Sequence, residues 1–206
     1  MAGGHHQAAA NNLSDLVLRA AVVTSVVAAA FAVSGCGDNR VPIDAPPDIP
    51  ACTSTPPASG AISAFDSTKA VRNHDQAGKQ TVAFLGALQP GPTADTLDIQ
   101  LIEGMGAFAS GPPVPGTYAL TGVETQLATC GVCVVLEGGM PRGYYVARDG
   151  MLTVDAVDTH FQASLSNVDF VHVDVDANTS VSTIIDTCTF SIASASWDTP
   201  IIAQAR

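Results

Sequence analysis

The sequence predicts an all-β domain over residues 59–206, built as an antiparallel β-sandwich or a barrel-like closure of the same strands. Three observations point there. Short apolar or alternating runs, about 4–8 residues each and rich in β-branched side chains, recur after Ser59. Clusters of Gly, Pro and Asp separate them. No window of the domain holds the 3.6-residue period of an amphipathic helix.

Taken in order, the runs are Thr81–Leu88, Thr96–Ile102, Thr117–Leu120, Val132–Leu136, Tyr144–Ala147 and Met151–Val154. Phe161–Leu165, Phe170–Val175 and Thr189–Ala193 follow. Turn signals lie at Pro90-Gly91-Pro92, Pro112-Pro113, Pro115-Gly116, Gly138-Gly139 and Asp149-Gly150. Asp149-Gly150, between two such runs, is the clearest hairpin signal, because Asp-Gly favours the primed turns that match strand twist. Many short strands separated by turns argue for a sandwich or barrel. A domain of this size can bury a sufficient core alone.

Charge narrows the function classes. Of 206 residues, Lys and Arg total 8 against 19 Asp and Glu, a formal net charge of −11. Such a chain has no basic footprint for nucleic acid. Residues 1–35 hold one acid, Asp15, and one base, Arg19, so the rest of the chain carries the whole excess. A hydrophobic fraction of 47% exceeds that of disordered chains.

The N-terminal segment reads as an address. Ala20 to Val33 (AAVVTSVVAAAFAV) holds no charge and follows Arg19. It falls short of the ~20 residues a spanning helix needs, and fits the apolar region of a signal helix. Val33-Ser34-Gly35-Cys36 resembles a bacterial lipobox: an aliphatic residue, two small residues, then Cys. The resemblance covers about twenty residues. It implies that Cys36 is lipidated, that residues 1–35 are removed as a lipoprotein signal peptide, and that acyl chains hold the protein on a membrane. Gly37 rather than Asp after the Cys implies, by the same resemblance, sorting to the outer membrane. Met1 to Leu18 is a long n-region holding Asp15 and no Lys or Arg, and a start at Val17 would give an ordinary one.

Residues 36–58 carry Pro42, Pro46, Pro47, Pro50, Pro56 and Pro57. Proline at this density favours extended, polyproline-like chain, so residues 36–58 are expected to form a disordered tether behind the lipidated Cys.

With Cys36 assigned to lipid, Cys52, Cys130, Cys133 and Cys188 remain. An even count in an exported chain is a disulfide pattern. Of three connectivities, Cys130–Cys133 with Cys52–Cys188 is favoured because close cysteines meet bridge geometry locally. A cross-link from Cys130 or Cys133 to Cys188 is the competing arrangement. Thioredoxin-like chemistry would need the CxxC at a helix N-terminus, and here the motif runs into VVLEGG, a strand and a turn. One CxxC is only half a zinc site.

Asp174, Asp176 and Asn178 imitate the start of a calcium loop, but Thr179 and Ile185 stand where an EF-hand needs Gly and Glu. They form at most a weak calcium site. His74, His160 and His172 accompany no G-x-S-x-G or H-E-x-x-H motif, so no catalytic residue, cofactor or resident metal is expected. Trp197, Tyr118, Tyr144 and Tyr145 are too few to furnish both a core and a sugar-stacking face.

The whole chain looks like predicted bacterial lipoproteins with a β-rich domain, a C-x-x-C and a later Cys, a resemblance that implies no activity. The expected function is a non-catalytic binding or structural role in the cell envelope, with an envelope protein or polysaccharide as partner. The alternative is a glycan- or calcium-binding surface module, followed by a hydrolase or thiol-redox protein.

Overall fold

The computed structural model describes residues 49–57 and 59–203. Cys36, the signal segment and the first part of the tether lie outside the described residues. Nine strands follow in chain order: β1 (Gly60–Ile62), β2 (Ser67–His74), β3 (Gln80–Ala87), β4 (Thr96–Ile102), β5 (Gly116–Ala119), β6 (Val132–Gly138), β7 (Gly143–Ala156), β8 (His160–Val175) and β9 (Ser182–Ala203). Two single 3₁₀ turns, Gly106–Phe108 and Gly122–Thr125, complete the described elements. No described helix is long and apolar enough to cross a membrane.

The strand pairing closes on itself. From β2, antiparallel neighbours run through β3, β4, β6, β7, β8 and β9. The end of β9 then returns to β2, with Ala70 opposite Ile201 and Arg72 opposite Ala203. This is a seven-strand barrel. β5 pairs with the second half of β7, and β1 lies along the middle of β9. Both β1 and β2 run parallel to β9. The sheet is therefore mixed, where the sequence suggests a wholly antiparallel one. The departure arises because the chain's first strands run alongside its last in the same direction.

Asp149-Gly150 is not a hairpin. It lies inside the continuous β7, at a bulge where the register with β8 shifts on either side of Asp149. Gly150 has φ +109°. A Cβ there would come within 2.6 Å of Asn167 O and Val168 Cα, so the glycine lets β8 approach. Asn167, itself at φ 49°, lies on the facing strand. Paired bulges of this kind bend long strands and help close a barrel.

The inner face is packed by Phe84, Leu97, Ile99, Leu101, Leu136, Leu152, Leu165 and Ile192, each essentially solvent-free. Trp197 stacks on Phe84 with ring centroids 4.6 Å apart, and Phe65 and Phe161 meet it edge-on. Farther along, Phe170 stacks on Phe190 at 4.6 Å, and Tyr145 meets Phe190 edge-on. Burying each such side chain contributes about 1.5–3 kcal/mol, so the barrel interior is a core. On the outer face Val135, Val146 and Val173 form a second apolar patch, against which Leu127 packs.

Part of the proline-rich stretch departs from the expected disordered tether. Residues 49–57 lie against the barrel. Thr187 donates its N–H to Pro50 O at 3.0 Å, Cys52 N–H reaches Thr187 Oγ1 at 2.9 Å, and Thr55 pairs with Met140. Pro57 is buried. A disulfide from Cys52 to Cys188 fixes this strap to β9. That link and the Thr55 bridge hold a sequence whose prolines would otherwise favour free, extended chain.

Candidate functional site

One end of the barrel gathers the chemistry. It is framed by aligned residues at strand ends: Thr96, Glu137, Tyr144, Val173 and Ile184. Just inside this rim, Tyr145 of β7 and His172 of β8 stack with ring centroids 4.7 Å apart. His172 Nδ1 lies 2.8 Å from Asp186 Oδ2, and both side chains are nearly solvent-free. The other oxygen, Asp186 Oδ1, accepts the N–H of Cys188 at 2.8 Å. His172 Nε2 points beneath Gly143, where a Cβ would come within 2.4 Å of it, so only glycine leaves the imidazole room. The strap lies over Cys188, with Ser54 Oγ 3.0 Å from Cys188 Sγ.

Among the described residues, His172, Asp186 and Cys188 form the one group of three His, Cys, Asp or Glu side chains close enough to share an ion, with ligand atoms within 4.8 Å of one another. Cys188 Sγ is bonded to Cys52, so no thiolate is available there in the oxidised protein. A histidine oriented by a carboxylate also resembles part of a hydrolytic triad. The Ser54 hydroxyl on the strap engages Cys188 Sγ. Among the described residues, the His172 side chain is hydrogen-bonded to Asp186 and to no hydroxyl or thiol.

The second disulfide joins Cys130 to Cys133. Cys130 is 0% exposed and Cys133 5%. Both precede or begin β6, with no helix beyond. Reactive thiols require access and a positive local potential, and this bridge has no access. It anchors a loop whose organiser is Glu124, a residue that sequence reasoning missed. The buried Glu124 carboxylate accepts three backbone N–H groups, from Ala107 (2.6 Å), Gly131 (2.8 Å) and Val132 (2.6 Å). No spacing rule marks such a carboxylate, because its partners come from two separate stretches of the chain, the 3₁₀ turn at Gly106–Phe108 and the start of β6.

The calcium-like trio does not converge. Asp176 Oδ1 accepts the N–H of Asn178 (2.9 Å) and of Thr179 (2.8 Å) and the hydroxyl of Thr179 (3.0 Å). Those bonds hold its carboxyl below the usual Asp range. They make an ordinary side-chain-capped turn at the tip of the β8–β9 hairpin. Asp174 is exposed on β8. His160 Nδ1 pairs with Asp198 Oδ1 at 2.7 Å on the open surface, and His74 ends β2, also exposed. Trp197 lies in the core, 7% exposed.

Two surface depressions lie beside β8 and β9. One includes Ser59, Asp169 and Thr189, the other Ser63, Ser164 and Ser194. Neither contains a histidine or cysteine. Comparison with known proteins returns no matching family model, no matching curated protein and no matching solved structure.

Proposed function

We propose that the protein is a cell-envelope lipoprotein, attached through acyl chains on Cys36, whose barrel serves a non-catalytic binding or structural role. The observation that carries this reading is the register of the apolar segment Ala20–Val33 with the small residues Ser34 and Gly35 and then Cys36. The cysteine count supports it: with Cys36 set aside, the other four are paired, as suits an exported chain. Two or more acyl chains suffice for stable anchoring, at ~0.8 kcal/mol per buried methylene.

The test is metabolic labelling with palmitate in a bacterial host. The wild-type chain takes up label and fractionates with membranes. Cys36→Ala takes up none. Equal labelling of the two refutes lipidation at Cys36.

A further inference from the structure

We propose that Cys52, Cys188, Asp186 and His172 form a Zn²⁺ site when the Cys52–Cys188 bond is reduced, so that a metal ion replaces the disulfide as the clasp of the strap.

The chemistry of the donor set fits. Zinc favours four ligands in a tetrahedron, at about 2.3 Å for thiolate and about 2.0–2.2 Å for imidazole and carboxylate, which places ligand atoms about 3.5 Å apart. The ligand atoms of His172, Asp186 and Cys188 already lie within 4.8 Å of one another. His172 and Asp186 sit even closer, at 2.8 Å. Cys52 supplies the fourth ligand, because its sulfur is bonded to that of Cys188. Separating the two sulfurs requires one side to move. Cys52 lies on an exposed, irregular segment, whereas Cys188 is buried on β9. The strap therefore makes the adjustment.

The surroundings suit a metal ligand as well. Tyr145 stacks on the imidazole and fixes its plane. The Cys188 N–H holds one oxygen of Asp186 and leaves the other directed at His172. Partners of this kind orient a metal's ligands.

The steps balance. A dithiol reductant donates two electrons and two protons. The Cys52–Cys188 sulfur bond breaks, two thiols form, and the reductant leaves as its own disulfide. Zn²⁺ then displaces the proton of each thiol. The imidazole releases to solvent the Nδ1 proton that it donates to Asp186 and takes one up from solvent at Nε2, so that the neutral ring offers its Nδ1 lone pair to the metal. The exposed position of Cys52 opens this disulfide to the reductant, while the Cys130–Cys133 bridge is shielded.

The experiment uses the full chain carrying Cys36→Ala, which removes the fifth thiol, with Co²⁺ as a spectroscopic probe. After treatment with a dithiol, the protein binds one equivalent of Co²⁺ and shows a thiolate-to-metal charge-transfer band. The oxidised protein shows none. Asp186→Asn and His172→Gln each weaken binding at least about tenfold, the loss expected even for an outer partner. Adding Cys130→Ala with Cys133→Ala leaves the band intact. Should a buried substitution unfold the chain, Cys52→Ser at the exposed position serves instead, and it too weakens the band. Absence of the band in the reduced protein overturns the proposal. So does a band unaffected by Asp186→Asn, His172→Gln and Cys52→Ser, or one that vanishes only with Cys130 and Cys133. None of these readouts depends on lipidation, so they fail or succeed separately from the palmitate test.

Discussion

Glu124 and Asp98 show opposite uses of a buried carboxyl. Glu124 meets three amides, so truncation leaves the buried N–H groups of Gly131 and Val132 and the part-buried one of Ala107 without an acceptor. At ~1–3 kcal/mol for each orphaned group, and with some relaxation, Glu124→Ala should cost about 3–5 kcal/mol. Urea unfolding at neutral pH measures it. Asp98, on the outer face of β4, is 4% exposed, and its Oδ1 has no partner among the described residues. Burial pushes its carboxyl up to about 6, the hydrogen bond from Gln100 opposes this, and the charge of Glu137 adds to it. The native protein thus holds this proton more tightly than the unfolded chain, whose Asp titrates near ~3.9. The associated stability is full below pH ~4 and is lost as pH rises through about 6, a swing of order 3 kcal/mol at most. Asp98→Asn should therefore raise Tm at pH 8 and leave it nearly unchanged at pH 4. A parallel pH profile for the two proteins would contradict the assignment.

At the scale of elements, the bulge in β7 makes the sharpest prediction. Gly150→Ala forces a side chain into a positive φ and against the β8 backbone. A loss of about 2–4 kcal/mol in denaturant unfolding is expected. Asp149→Ala, beside it on an exposed site, should cost much less. This position also marks where sequence reading stops. The runs TLDIQLI and VCVVL alternate or branch strongly enough that β4 and β6 were legible. Tyr144–Ala147 and Met151–Val154 were legible as strands, but not as halves of one, because Asp-Gly carries the same local preference for positive φ in a bulge as in a hairpin. The partner across the sheet decides between them. β2 was hidden for another reason: STKAVRNH buries chiefly Ala70 and Val71, and its polar ends face solvent. Of the barrel-end cluster, the sequence offers His172 and Cys188 as isolated residues. Their meeting with Asp186 depends on the offset of β8 against β9 near Val173 and Ile184, which no local pattern encodes.

For the molecule as a whole, the two disulfides should differ in weight. Cys52–Cys188 spans 136 residues and Cys130–Cys133 only 3. Chain-entropy reasoning assigns about 5 kcal/mol to the long loop and about 2 kcal/mol to the short one. Cys52→Ser paired with Cys188→Ser should lower the urea midpoint more than Cys130→Ser paired with Cys133→Ser. Equal shifts would show that the strap contributes little to the folded state. The long cross-link also sets how the molecule bears load. It closes a covalent ring that contains every strand from β1 to β8, leaving outside it, among the described residues, only 49–51 and those from Thr189 onward. A pull between residues 49 and 203 is carried by sulfur into β9 and cannot draw out the ring. At ~3.5 Å per residue the oxidised protein would lengthen by only about 60 Å of unravelled chain, whereas the reduced one would pay out the whole barrel.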